Sequence, residues 1–194
     1  MKMLKELVLK NRSYRGFDES FHFTREDLLA YVDIARLCPS GANLQGLKYY
    51  IVYDRNEVEK LLPYTHYAAA LPELHLPREG SHPTGYIVIC QDLRIIDNMG
   101  RLQKDIGIVA QTMLLYATEQ GLGGLMIGNF ELGNVKKVCQ LPDYLTPVLL
   151  IALGKPNEKI VIVDVGADGN TAYYRDANDV HYVPKRKLSD LVIN

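Results

Sequence analysis

The segment at residues 38–46, which reads Cys-Pro-Ser-Gly-Ala-Asn-Leu-Gln-Gly, combines polar side chains with an irregular backbone. Pro39 disfavours helical backbone in the residue before it, while Gly41 and Gly46 permit left-handed or bulged backbone. Residues 48–53 are rich in Tyr, Ile and Val and predict a buried strand directly afterwards. A polar loop held by a core strand is a usual place for a ligand, and a plain helix–loop–strand connection is the alternative. The side chains that the loop would present are Ser40, Asn43 and Gln45.

A second candidate site is the basic segment that follows the first predicted helix. Arg12 and Arg15 are three residues apart, with Ser13 between them. On a helical turn the two guanidinium groups would share one face and could grip one anion, with the hydroxyl of Ser13 as a further donor. The alternative is a solvated basic helix end, which suits the negative end of the helix dipole.

Composition restricts the class of protein. The 194 residues are 47% hydrophobic and 23% charged, which suits one globular domain over residues 1–194. The net charge of −1 gives no electrostatic reason to expect nucleic acid or an acidic membrane surface as a partner. We expect no membrane span and no signal peptide, because no apolar run approaches ~20 residues and charges interrupt residues 1–10. The scattered cysteines and histidines predict a reducing cytoplasm and no metal site.

Apolar periodicity predicts an amphipathic helix at residues 2–10 and a second helix that begins after the cap residue Thr24. Asn56 and Asn134 are predicted to cap two short helices. Residues 64–84, with their prolines and surface histidines, predict a covering loop in which residues 68–71 form one helical turn. Further buried strands are predicted at residues 86–90, 125–127 and 147–153.

The longest predicted helix covers residues 99–120 and is apolar nearly all round from Ile106 to Ala117. Such a helix must be covered on every side. A partner subunit could supply part of the cover, and burial within one chain is the alternative. After this helix, Gly128 and Asn129 would let backbone amides approach a ligand closely. No strand–GxGxxG–helix unit occurs, so a Rossmann site is not supported.

The C-terminal part predicts a β-meander of three strands, followed by a basic run and a last short turn. Turn signals separate the strands, and Lys185, Arg186 and Lys187 are three cations in a row. A basic cluster of this kind is usually a solvated tail. The three predicted strands cover residues 159–165, 171–175 and 180–183.

Taken in order, these segments resemble the FMN-dependent nitroreductase family. The matching segments are an Arg-Arg-Ser-x-Arg-like start at Asn11–Arg15, a Pro-Ser-x-x-Asn-x-Gln loop at Pro39–Gln45, a Gly-Leu-Gly…Ile-Gly-x-Phe segment at Gly121–Phe130, and a Gly-x-Pro followed by a basic C-terminus at Gly154–Lys187. The chain departs from the family at Asn11, where an arginine is usual, so the phosphate grip there is weaker or moves to Arg12. The region between Ile160 and Pro184 is longer than in the shortest members.

The resemblance implies an α+β fold, with a mostly antiparallel central sheet flanked by helices. It implies a homodimer that exchanges C-terminal extensions and holds FMN in the dimer interface. The implied phosphate and ribityl contacts are Arg12, Ser13 and Arg15, with Lys185 and Arg186 closing on the same phosphate. The implied loop under the flavin ring contains Pro39, Ser40, Gly41, Asn43 and Gln45, and the amides of Asn43 and Gln45 would reach the pyrimidine edge of the ring or the ribityl chain. Gly128 and Asn129 resemble the segment whose backbone N–H points at flavin N5.

The implied activity is that of a flavin oxidoreductase. NADH or NADPH would give hydride to flavin N5 and leave. An electron-poor acceptor such as a nitroaromatic or a quinone would then bind where the nucleotide had been. No side chain need act as nucleophile or general acid, so no catalytic residue is assigned. The alternatives are an FMN-binding carrier or sensor with little turnover, and a relative that performs reductive dehalogenation or flavin-ring breakdown. Residues 64–84 would decide the acceptor, and nothing in them identifies it.

Overall fold

The computed structural model describes residues 3–68 and 71–194. Its helices are α1 Leu4–Lys10, α2 Arg25–Arg36, α3 Arg55–Leu61, α4 Gln103–Glu119 and α5 Leu132–Val138. Its strands are β1 Leu47–Val52, β2 Gly85–Asp92, β3 Gly123–Ile127, β4 Leu145–Gly154, β5 Ile160–Asp164, β6 Tyr174–Arg175 and β7 His181–Lys185. Among the helices of these described ranges, none is long and apolar enough to cross a membrane.

The central sheet is antiparallel throughout, with the strand order β1-β2-β4-β3. Successive side chains of β2 point to opposite faces, and both faces are covered. Ile87 and Ile89 pack on the side of α2 and α4, whereas Tyr86 and Val88 pack on the side of α3 and α5. This double cover explains why the central strands are continuous apolar runs, and it confirms the predicted α+β architecture.

Helix α4 begins at Gln103 rather than at residue 99, because Met99–Arg101 form a separate 3-10 turn. One face of α4 is buried against α2 and the sheet, and it consists of Val109, Ala110, Met113, Leu114 and Ala117. The opposite face is exposed at Gly107, Ile108 and Gln111. A single chain therefore covers one face of the helix and leaves an apolar residue, Ile108, on the other.

Two predicted helix caps are wrong. The cap of α3 is Asp54, whose carboxylate accepts a hydrogen bond from the backbone N–H of Glu57, so the helix begins before Asn56. Helix α5 follows Glu131, and Asn134 lies inside the helix, where its amide donates to the Glu131 carboxylate. In both cases an acidic residue two or three positions before the asparagine is the N-cap, and the helix begins directly after it. The cap at Thr24 is confirmed.

The C-terminal strands do not form the predicted meander. Strand β7 lies between the other two, parallel to β5 and antiparallel to β6. The middle predicted strand contributes only Tyr174–Arg175, because a polar stretch of turns precedes it. This stretch supplies the long connection that two parallel strands require.

The predicted loop at residues 64–84 contains only short 3-10 turns, at Leu62–Tyr64 and Pro72–Leu74, in its described part. The expected helical turn at residues 68–71 includes residues 69–70, which lie outside the described residues, as does residue 2 of the first predicted helix. Arg78 in this loop forms a bidentate ion pair with Asp179, at 2.8 Å for each contact. The loop is thereby tied to the C-terminal part of the chain.

Strand β3 approaches β4 so closely that Gly124 has no room for a side chain. A Cβ atom built on Gly124 would lie 2.2 Å from the carbonyl oxygen of Ala152. We expect Gly124→Ala to lower the free energy of unfolding by about 1–3 kcal/mol, the usual cost of overpacking a core. Urea denaturation followed by circular dichroism measures this change.

The matched control is Gly133→Ala in α5, where no atom lies within 4 Å of the added Cβ. Because alanine is the better helix former, stability should stay the same or rise by up to ~1 kcal/mol. Equal denaturation midpoints for the two variants would show that the close approach of β3 and β4 is not a constraint on Gly124.

Candidate functional site

A cavity of about 390 Å³ lies between the segment after α1, helix α4 and the C-terminal strands; we name it the basic cavity. Three of its lining residues carry positive charge, namely Arg12, Arg15 and Lys185, and Ser13 adds a hydroxyl. No carboxylate is among the described residues that line it. The remaining lining residues are Asn11, Gln111, Leu114, Met126, Ile160, Tyr173, His181 and Val183.

The two arginines do not share a helical turn, so that part of the prediction is wrong. Helix α1 ends at Lys10, and Asn11 already has extended backbone. The chain then runs beside β3, where Ser13 forms an isolated parallel bridge with Gly124 and the N–H of Tyr14 donates to the Gly124 carbonyl at 3.2 Å. Pairing with the sheet edge therefore replaces helix, and it turns both arginines to the basic cavity.

Arg15 is held by neutral partners. Its Nη1 donates to the carbonyl of Ser13 at 3.1 Å and lies 3.5 Å from Nε2 of His181. Its guanidinium carbon lies 5.1 Å from the ring centroid of Tyr173, a cation–π distance. Burial lowers the pKa of Arg15 from its ordinary value, and burial does the same to the pKa of Arg12.

The positive charge of the basic cavity is not matched by an ion pair among the described residues, although the charge of Glu158 acts on Arg15 through space. No ion pair with a carboxylate is formed there by Arg12, Arg15 or Lys185. Nε of Arg12 and Nε of Arg15 are buried and have no hydrogen-bond partner in the described structure. Buried cations and unpaired donors are unfavourable unless an anion or acceptor meets them. The arrangement therefore fits a phosphate group.

The carboxylate nearest to these arginines is already engaged elsewhere. Glu158 accepts hydrogen bonds from the backbone N–H groups of Arg15 and Gly16 and forms an ion pair with Arg175. Arg175 also contacts Asp179 at 3.1 Å. Glu158 thus fixes the backbone of the arginine segment without contacting the Arg15 side chain.

The Pro-Ser loop is anchored by a residue that the sequence analysis missed. Asp105 of α4 is 5% exposed, and its carboxylate accepts from the hydroxyl of Ser40 at 2.7 Å and from the N–H of Gly41 at 3.0 Å. The same Ser40 oxygen accepts from the N–H of Gln45 at 3.0 Å. The loop is therefore more than a plain connection. An aspartate in the first turn of a largely apolar helix was the available signal.

The left-handed backbone of this loop is not at its glycines, contrary to the prediction. Ala42, Asn43 and Gln45 adopt positive φ angles of 51°, 53° and 51°. Gly46 instead serves close packing, because an added Cβ would lie 2.6 Å from a methyl carbon of Ile96. Positive φ at non-glycine residues costs free energy, and the Asp105 contacts hold the loop in this conformation.

On one chain the predicted site residues fall into separate groups. Pro39, Ser40 and Gln45 line a second cavity of about 180 Å³, which shares no lining residue with the basic cavity. Helix α4 contributes Asp105 and Val109 to the second cavity and Gln111 and Leu114 to the basic cavity. The predicted residues that line neither cavity are Gly41, Asn43, Gly128, Asn129 and Arg186.

Tyr173 and His181 are among the residues of the basic cavity that were not predicted. Both lie in the segment expected to form the meander, and no motif marks them. Asn129 is exposed, and its backbone carbonyl accepts a hydrogen bond from the N–H of His66 at 3.0 Å. The structure thus adds an aromatic residue and a histidine to the predicted arginines.

Comparisons with known proteins agree with this fold. A protein of Methanothermobacter thermautotrophicus, assigned as an NADH dehydrogenase/NAD(P)H nitroreductase, is 24% identical over 158 residues, which are 79% of this chain and 77% of that protein. The FMN reductase (NADPH) of Bacillus subtilis is 25% identical over 171 residues, 78% of this chain. This chain spans 65% of the length of the Bacillus protein.

A crystal structure of an Exiguobacterium sibiricum protein in complex with FMN shares the fold, with a TM-score of 0.66. It is 17% identical and covers 81% of this chain and 90% of its own. The model of the Nitroreductase family matches residues 8–73 and 96–155, more than half of the sequence. The chain therefore belongs to the Nitroreductase family.

Proposed function

We propose that this chain binds FMN and uses NADH or NADPH to reduce a small electron-poor acceptor, such as a nitroaromatic or a quinone. The observation that carries the proposal is the basic cavity, a half-open space that three cations and a hydroxyl face and that no carboxylate of the described residues lines. An FMN phosphate would supply the missing negative charge. The names of relatives support the same cofactor and reductant, since one is an FMN reductase (NADPH) and one structural neighbour contains FMN.

The phosphate would bind to Arg12, Arg15 and Lys185, with Ser13 as a further donor. Guanidinium groups suit phosphate because their planar N–H groups donate in pairs, whereas an ammonium group offers a flexible point charge. Burial of the two arginines strengthens this attraction, because a charge in a partly dry site is screened less by solvent. Lys185 is exposed and would add a weaker contact at the mouth.

The flavin ring would meet the Pro-Ser loop of a second copy of the chain. Its proposed contacts are Pro39, Ser40, Gly41, Asn43 and Gln45, with Gly128 and Asn129 on the opposite side. The two cavities lie on different faces of α4, and the uncovered face of this helix carries Ile108. We therefore propose a homodimer in which α4 packs against its partner and the bound flavin spans the interface. Exchange of the C-terminal extensions would add to this interface.

When bound, FMN would supply the redox chemistry of the reaction. The residues of this chain would bind its phosphate, orient its ring and exclude water. No side chain of the proposed site is required as a nucleophile or a general acid, so none is assigned a catalytic role. The loop that carries Arg78 would shape the acceptor site.

The purified protein tests this function directly. We expect a yellow protein from which heat releases FMN rather than FAD, because the basic residues gather around one phosphate. Anaerobic addition of NADH or NADPH should bleach the flavin absorption, and a nitroaromatic or a quinone should restore it. A colourless protein that cannot be reconstituted with FMN would contradict the proposal. Flavin that neither nucleotide reduces would instead favour a carrier or sensor.

We expect Arg15→Ala and Arg12→Ala to weaken FMN binding and to leave riboflavin binding unchanged, because riboflavin lacks the phosphate. Loss of a charge-assisted hydrogen bond worth roughly 1.5–3 kcal/mol corresponds to about a tenfold to 150-fold loss of FMN affinity. Lys185→Ala should have a smaller effect. Fluorescence titration of the apo-protein measures all three changes.

The matched control is Lys187→Ala, which removes an exposed cation that lies close in sequence to Lys185 but outside the basic cavity. This variant should bind FMN about as tightly as the wild type. If Arg12→Ala and Arg15→Ala also bind FMN like the wild type, the phosphate site lies elsewhere.

The wild type should be a stable dimer, with an interface above the ~2,000 Å² that is typical of obligate pairs. Ile108→Glu places a charge on the uncovered face of α4 and should shift the protein toward monomer in multi-angle light scattering. Ile95→Glu is the control, since Ile95 is 42% exposed in a turn and Ile108 is 38% exposed on the helix. A folded wild-type monomer near 21.9 kDa would contradict the proposed dimer.

A further inference from the structure

The wall of the basic cavity contains a contact between a histidine and an arginine. His181 begins β7 and is 1% exposed, and its Nε2 lies 3.5 Å from Nη1 of Arg15. The ring of Tyr173 lies 5.2 Å from the imidazole and 5.1 Å from the guanidinium carbon. The three side chains therefore touch one another on the side of the cavity formed by the C-terminal strands.

The backbone fixes the histidine in this position. The N–H of His181 donates to the carbonyl of Lys159 at 2.9 Å, and His181 pairs with Ile160 in the parallel ladder of β5 and β7. The imidazole is consequently held by the small C-terminal sheet, whereas Arg15 belongs to the N-terminal segment. The contact joins two distant parts of the chain at the proposed phosphate site.

The chemistry of the contact sets the protonation state of the imidazole. A guanidinium group only donates hydrogen bonds, so the Nε2 that faces it must present its lone pair. The proton of the neutral ring then lies on Nδ1, which is buried without a hydrogen-bond partner in the described structure. Burial first, and then the charges of Arg15 and Arg175, lower the pKa of His181 to about 4, whereas Asp179 acts in the opposite direction. The ring is therefore neutral near pH 7.

A neutral acceptor has a particular advantage at this position. The usual partner of a buried arginine is a carboxylate, which would hold the guanidinium group but also cancel its charge. The nearby Glu158 does not form an ion pair with the Arg15 side chain, because its oxygens bind Arg175 and two backbone N–H groups. An imidazole can hold Arg15 and leave its positive charge available to an anion.

We infer that His181 is a positioning residue for the proposed phosphate site, holding the guanidinium group of Arg15 through a neutral acceptor that preserves its charge. This inference rests on the proposed function, because the anion that it serves is the phosphate of FMN. Tyr173 supports the same guanidinium group through its ring.

The test compares two variants of nearly equal shape, His181→Gln and His181→Glu. The glutamine side chain offers a neutral acceptor, so FMN affinity should stay within about threefold of the wild type, a difference of under ~0.7 kcal/mol. The glutamate would neutralise Arg15, and FMN affinity should fall by at least about tenfold, the lower end for losing a charge-assisted hydrogen bond. Riboflavin affinity should be the same in both variants. Fluorescence titration of each apo-protein with FMN and with riboflavin gives the four values.

Two further variants show whether a loss of binding comes from the lost acceptor or from misfolding. His181→Leu removes the acceptor without adding a charge and should weaken FMN binding selectively, and thermal unfolding verifies that each variant is folded. If the glutamate variant does not fold, the comparison of leucine with glutamine decides the inference. Tyr174→Phe is the control, because Tyr174 is adjacent in sequence to Tyr173, is exposed and lies outside the basic cavity, and this variant should bind both flavins like the wild type.

The outcomes separate this inference from the proposed function. A folded wild type that binds neither FMN nor riboflavin would overturn both. A wild type that prefers FMN, with glutamine and glutamate variants that keep the same preference, would overturn the role of His181 alone. Equal losses for FMN and riboflavin would also overturn it, because a purely structural role does not distinguish the two ligands.

Discussion

The buried ion pair between Glu158 and Arg175 is the interaction on which the basic cavity depends. Their side chains are only 5% and 6% exposed. A buried pair is unfavourable unless its remaining donors and acceptors are satisfied, and here most of them are. Glu158 also binds two backbone N–H groups of the N-terminal segment, and Arg175 also binds Asp179. The pair therefore joins the N-terminal segment, the connection after β4 and the C-terminal strands. Because the carboxylates of Glu158 and Asp179 bind Arg175, neither forms an ion pair with Arg15.

Much of the fold could be predicted because local sequence determines it. The residues of β1, β2 and β4 predict buried strands from their composition alone, without knowledge of which strands pair with them. Helix α2 is marked by a capping residue and an apolar face. The motifs that resemble the nitroreductase family lie in loops and segment ends, where the fold constrains backbone shape more than composition. Family membership and the antiparallel sheet are confirmed, whereas the individual FMN contacts stay predictions.

The parts that could not be predicted depend on contacts between distant residues. The hydrogen bond between Ser40 and Asp105 spans 65 positions, and the unusual place of Asp105 in an apolar helix does not identify Ser40 as its partner. The insertion of β7 between β5 and β6 depends on how a polar connection is routed, and turn signals alone favour a meander. The left-handed backbone at Ala42 could not be predicted, because alanine itself disfavours it, and it follows directly after the two residues that Asp105 binds. His181 carries no motif, and its proposed role follows only from its position beside Arg15.

The parallel ladder of β5 and β7 has a consequence for how the protein is made. During synthesis on a ribosome, Arg12 and Arg15 emerge early, whereas β7 with His181 and Lys185 emerges after the central sheet is complete. The basic cavity has no C-terminal wall until that strand inserts between its neighbours. The nascent chain can therefore form most of its core before it can enclose a phosphate. On this order of events, the closing of the basic cavity by β7 is a late step of folding, and it follows the assembly of the central sheet.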